Sequence, residues 1–188
     1  MIIGLCGEAG AGKDTAGAYL IKRYGFERRS FAEPVKNSLA AFLNITRWEL
    51  DALKDDPDAR ICTQTNAYTK SMNFREALQR YAHHGHREVF GDNFWLDIAL
   101  PVGGYYVGRK IVITDVRYQN EVDRINHLGG VIIRIVGRGS DNKSPHRRYD
   151  TNELNLGMYG YVVVNNDSLE NLYSQIDKAL DALVGLEV

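Results

Sequence analysis

Short apolar runs alternate along this chain with segments in which apolar residues recur every three or four positions. "IIGLC", residues 2–6, has the continuous apolar character of a buried parallel strand. It leads through a glycine-rich loop into a helix predicted over about 13–24, with Ala16, Leu20 and Ile21 on one face. "GFERRSF" reads as a weaker strand, and "EPVKNSLAAFL" as a helix with Pro34 at its first position. Thr46 is expected to cap a short helix through Leu53. Residues 54–70, "KDDPDARICTQTNAYTK", are polar and turn-rich and read as a loop or crossover connection. "NFREALQRYAHHGHREVF" predicts a helix interrupted near Gly85, and "DNFWLDIAL" another, stopped by Pro101. "GRKIVITDVR" is the clearest strand, followed by the helix "NEVDRINHLGG", the buried strand "VIIRIV" and a last strand "GYVVVNN". Ser168 is expected to cap a final amphipathic helix to about Leu183. This alternation predicts an α/β fold with a mainly parallel sheet and helices on both faces.

Composition narrows the picture. A chain of 188 residues, 44% hydrophobic and 25% charged, predicts one globular domain with a sizeable core. A net charge of −1 gives no bulk field toward nucleic acid polymers or membranes, and neither is an expected partner. Cys6 and Cys62 lie in no C-x-x-C, and Cys6 belongs to the first apolar strand, so redox chemistry is not expected. The N-terminus lacks a signal-peptide pattern and no apolar run approaches the ~20 residues of a membrane span, which places the protein in the cytoplasm as an expectation.

The candidate chemistry begins at "GEAGAGKDT", residues 7–15. Gly7, Gly12 and Lys13 fit the phosphate-loop pattern G-x-x-x-x-G-K-[ST], but Asp14 stands where a hydroxyl is usual and Thr15 follows one place later. Glycines at 7, 10 and 12 do not fit a dinucleotide fingerprint. In a phosphate loop the small residues, here Ala9, Gly10 and Ala11 among them, let backbone N–H groups face the phosphates while the lysine bridges the terminal ones. Asp14 reads either as a ligand for Mg2+ or as a helix-end charge, with Thr15 then supplying the hydroxyl. Asp115, at the carboxyl end of "IVITDVR", occupies the place of the metal-side carboxylate in such sites, with Arg117 two residues on.

These residues resemble the deoxynucleoside monophosphate kinases of bacteriophages, within the P-loop kinases. "GKDT" is similar to that family's loop, "SFAEPVK" to its segment after the second strand, and "TDVRYQNEVDRINHLGGVIIRI" to its fourth block. "REALQRYAHHGHREVFGDNFW" resembles its acceptor region, with Arg75, Leu78, Gln79, Gly85, Arg87, Gly91 and Trp95 in order. "VVVNNDSLENL" resembles the turn near the adenine end, which assigns Asn166 to ATP. One block departs: the family places a His-x-Ser-Glu group where this chain has "DTNE". The resemblance implies a three-layer α/β/α fold with a five-stranded mainly parallel sheet, a helical acceptor-binding insert at about 34–100 and a lid at about 137–153. It implies transfer of phosphate from ATP to a deoxynucleoside monophosphate, with Mg2+, and it is compatible with a homodimer.

Within that reading Lys13, Asp115 and Arg117 carry catalysis, and Asp14 and Asp115 serve the metal. Arg75 and Arg117 are the forks that would grip the acceptor phosphate, with Lys36 a weaker candidate. Gln79 would read a base edge; Trp95 would either stack on the base or belong to the core. Arg138, Arg147 and Arg148 are the lid candidates. At "HHGH", residues 83–86, His83 and His84 are expected to face different directions on a helix, with no carboxylate or cysteine cluster accompanying them, so zinc is not expected. A P-loop kinase for dephospho-coenzyme A or phosphomevalonate, or a non-catalytic nucleotide-binding regulator, are the competing readings.

Overall fold

A computed structural model describes residues 1–64, 69–137 and 160–184. The first elements are β1 (Ile2–Cys6), α1 (Lys13–Tyr24), β2 (Glu27–Arg29), α2 (Ala32–Phe42) and α3 (Arg47–Asp55). The strands β3 (Arg60–Gln64) and β4 (Thr69–Asn73) follow, then α4 (Phe74–Ala82), a π-helical turn (His83–Arg87), α5 (Glu88–Phe90) and α6 (Phe94–Ala99). The rest comprises β5 (Ile111–Val116), α7 (Gln119–His127), β6 (Val131–Gly137), β7 (Tyr161–Asn165) and α8 (Leu169–Val184). The chain divides into two compact units, one of Met1–Ser30 with Val102–Val188 and one of Phe31–Pro101. Residues 34–100, where the resemblance places the acceptor-binding insert, lie within the bounds of the second.

The first unit holds a five-stranded sheet of order β2-β5-β1-β6-β7, parallel throughout. β1 is central and buried at all five positions, which is why its sequence is continuously apolar rather than alternating. Ile3, Leu5, Leu20, Ile133, Ile135 and Val163 lie in its core cluster. Helix α8 joins α1 through Asp177, whose carboxylate accepts the hydroxyls of Tyr19 at 2.9 Å and Tyr24 at 2.7 Å. The hydrogen bond to Asp177, and then burial, push the Tyr24 phenol up to about 12.

The second unit packs Leu39, Ala40, Leu50 and Phe74 into a core of its own. Thr46 caps α3 as expected: its hydroxyl accepts from the Glu49 amide at 3.1 Å, and Glu49 Oε2 accepts from the Thr46 amide at 2.7 Å. α2 begins at Ala32, so Pro34 is its third residue rather than its first. Its missing N–H still falls in the first turn, where it has no intrahelical acceptor to lose. The stretch expected to be a loop forms the antiparallel hairpin β3–β4, with Arg60 opposite Asn73 and Gln64 opposite Thr69. Asn73 then caps α4, its side chain accepting from the Glu76 amide at 2.7 Å.

Of the expected lid, only Gly137, at the end of β6, lies within the described residues; Arg138, Arg147 and Arg148 lie outside them. Among the described residues no helix is long and apolar enough to cross a membrane.

Candidate phosphate-binding site

Parallel pairing sets Cys6 beside Val116 and, on the other flank of β1, beside Arg134. The loop that starts at Gly7 and the segment that starts at Arg117 therefore leave neighbouring strands at one edge of the sheet. Residues 7–12 connect β1 to α1, and the glycines at 7 and 12 have φ of 142° and 104°, values that side chains resist. A methyl group on Gly7 would overlap the Ile135 carbonyl oxygen; one on Gly12 would come within 2.5 Å of Asn165 Nδ2. The loop is thus clamped against β6 and β7, with its exposed face at Glu8, Ala9 and Gly10. The N-terminal amides of α1 follow directly, the arrangement that receives phosphate.

Lys13 is half-buried and its Nζ donates to the carbonyls of Gly7 at 2.8 Å and Glu8 at 2.7 Å. Burial first, and then the positive charge of Arg117, hold its pKa below the ordinary lysine value, against the opposing pull of Asp14 and Asp115. Those influences put Lys13, Asp14, Asp115 and Arg117 within electrostatic reach of one another. Asp115 is half-buried at the end of β5 and accepts from Ser30 Oγ at 2.7 Å. Asp14 is almost fully exposed on the first turn of α1, with Arg28 Nη2 3.8 Å away. Thr15 lies half-buried one place on. Arg117 is exposed; its backbone amide, and that of Tyr118 after it, are tied to the buried carboxylate of Glu121 at 2.7 and 3.1 Å.

Four contributors had no signal in the sequence reading. Ser30 orients Asp115, Arg28 faces Asp14 and Thr114, and Glu121 fixes the backbone at Arg117. The fourth is Asn165, whose Nδ2 donates to the Ala11 carbonyl at 2.9 Å. Asn166, the residue expected at the nucleotide, is exposed on the turn after β7.

In the second unit the expected acceptor residues are held by neighbours. Arg75 Nη2 donates to Asp55 at 2.8 Å and Lys36 Nζ to Asp51 at 3.2 Å. The Arg75–Asp55 pair is exposed, and pairs of that kind are worth only about 0–1 kcal/mol, so its exchange for a phosphate costs little. Gln79 is half-buried on α4. Trp95 is only 3% exposed and donates Nε1 to the Ala82 carbonyl at 3.1 Å. A ring so enclosed has no free face for a base, and of its two expected roles it takes the one in the core. At "HHGH" the expectation is corrected: Glu88 lies 2.6 Å from His84 and 3.4 Å from His83.

No protein-family model matches the chain. A protein of Acanthamoeba polyphaga mimivirus named "Putative deoxynucleotide monophosphate kinase" is 33% identical to it over 192 aligned positions, covering 96% of each chain. Among solved structures, a sugar kinase from Janibacter sp. HTCC2649 is 14% identical with a TM-score of 0.44, covering 96% of this chain and 94% of its own. A "putative kinase" from Chloroflexus aurantiacus is 13% identical with a TM-score of 0.42, covering 96% of each. Structural likeness of that degree says nothing about substrate.

Proposed function

The chain belongs to the deoxynucleotide monophosphate kinase family, and from that premise we propose that it transfers the terminal phosphoryl group of ATP to a deoxynucleoside monophosphate, giving ADP and the diphosphate. The observation that carries the reading is the gathering of Lys13, Asp115 and Arg117 around a glycine loop at the head of a helix. Phosphoryl transfer asks for positioning and charge neutralisation more than for covalent chemistry. The loop amides and Lys13 would hold the donor phosphates. Arg117 would grip the acceptor phosphate. The carboxylates of Asp14 and Asp115 are hard oxygen donors that fit Mg2+, whose charge, when bound, offsets that of the phosphates. Ser30 would keep one oxygen of Asp115 engaged and so orient the other.

An ADP-release assay across deoxynucleoside and nucleoside monophosphates, with dephospho-coenzyme A and phosphomevalonate alongside, tests the proposal. Turnover with at least one deoxynucleoside monophosphate is expected. Turnover with dephospho-coenzyme A or phosphomevalonate and with no deoxynucleoside monophosphate would overturn the substrate assignment.

Two predictions follow from the charges. Asp14→Ala should move the Mg2+ titration of activity to higher concentration while changing metal-free ATP binding little; an unmoved titration would make Asp14 a helix-end charge only. Arg117→Lys keeps the charge but loses the fork. It should raise the acceptor KM, at a cost of about 2 kcal/mol in kcat/KM, and move the ATP constant much less. A strong change in ATP affinity with the acceptor KM intact would place Arg117 on the donor side.

A further inference from the structure

We propose that the π-helical turn His83–Arg87 with Glu88 is a binding site for a borderline divalent cation of the Zn2+ class, with His83 Nδ1, His84 Nδ1 and a Glu88 carboxylate oxygen as its ligands. The backbone supplies the reason. In a regular helix adjacent residues point about 100° apart, so two consecutive histidines do not serve one carboxylate. A π-turn adds an i→i+5 neighbour to the usual i→i+4 one. Residue 83 then stands over residue 88 at the first spacing and residue 84 at the second.

The observed geometry follows that logic. His84 Nδ1 is 2.6 Å and His83 Nδ1 3.4 Å from Glu88 Oε1, and the imidazole centroids are 4.9 Å apart. One ring nitrogen of each histidine and a Glu88 carboxylate oxygen lie within 4.8 Å of one another, the one such grouping among the described residues. A tetrahedral ion with ligand bonds near 2.0–2.1 Å holds its donors roughly 3.4 Å apart, so small rotations of exposed side chains suffice. The inner side of the turn is pinned. His86 Nδ1 lies 2.8 Å from the Tyr81 carbonyl oxygen, its ring packs on Tyr81, Phe94 and Trp95, and Trp95 holds the Ala82 carbonyl. His83, His84 and Glu88 project outward, leaving further coordination positions to water. Two imidazoles and one carboxylate suit Zn2+ or Ni2+, whereas Mg2+ prefers oxygen, so this site differs in class from the one at Asp14 and Asp115.

The test is calorimetric titration of Zn2+ into the full-length, untagged chain carrying Cys62→Ser, which removes an exposed thiol that would compete for the ion. One ion per chain is expected, with His84→Ala and Glu88→Gln each weakening binding by about tenfold or more, the loss expected for one ligand. Zn2+ should also raise the Tm of the parent and not that of either variant, and Mg2+ at the same concentration should not replace it. Far-UV circular dichroism without metal checks folding; should His84→Ala lose helix, the nearly isosteric Glu88→Gln decides. No Zn2+ binding by the parent, or equal affinity in parent and Glu88→Gln, would overturn the site.

Discussion

Replacing Lys13 by alanine is expected to lower phosphoryl transfer by roughly 10²- to 10³-fold, the usual cost of removing one preorganised donor from a transferring group. Lys13 starts the helix after the loop, and its Nζ already reaches back to the carbonyls of Gly7 and Glu8. The fold should survive the change. Burial and Arg117 depress the lysine pKa, so the folded state disfavours the charged form. A cation whose folded pKa lies below its unfolded one subtracts from stability below the folded value; the loss is recovered as pH rises from there toward the ordinary lysine range. Lys13→Met should therefore melt at or above the parent temperature at pH 7, as thermal unfolding followed by circular dichroism would record. Near-normal turnover in Lys13→Ala would remove the phosphate-loop reading altogether.

Gly7→Ala should destabilise the protein by about 2–4 kcal/mol, the sum of a left-handed backbone position and forced overlap. The obstacle is the carbonyl of Ile135 on the neighbouring strand, which no rotamer change can clear. Urea unfolding at equilibrium measures the loss. Gly10→Ala is the control: it shares a positive φ, of 79°, but has no atom within 4 Å of the added carbon, and should cost less. Equal losses in the two variants would show that strain at φ, rather than contact with β6, is the cause.

Much of the α/β frame was legible because buried parallel strands are written as unbroken apolar runs. "IIGLC" and "IVITDV" became β1 and β5, and the helix predicted over 13–24 is α1 to the residue. The hairpin β3–β4 was not legible. Its sequence is polar and carries threonine and asparagine, which read as turn, and its pairing joins segments that only the fold aligns. Other contacts depend on register and on helix period. Whether Asn165 or Asn166 meets the loop depends on where β7 ends against β6, with Gly137 opposite Asn165, a register that neither segment states alone. The histidines were assigned by an α-helical period, and one π-turn changed which residues share a carboxylate. Ser30 reaches Asp115 because β2 pairs with β5 across more than eighty positions of sequence. Such contacts leave no local trace.

The central place of β1 has a consequence for how the chain reaches its fold. Ile2 finds its partner Ile111 only after the whole of Phe31–Pro101 has been made. At roughly 5–20 residues per second, that strand waits about 5–20 s for a neighbour during synthesis. Meanwhile "IIGLC" is an apolar, charge-free segment without its sheet, the kind of stretch that associates with other chains. The inserted unit is continuous in sequence and is positioned to fold early; the discontinuous unit must close a long loop first and should set the slow step. Refolding yield should thus fall with protein concentration, and the losses should be relieved by agents that shield nascent apolar strands.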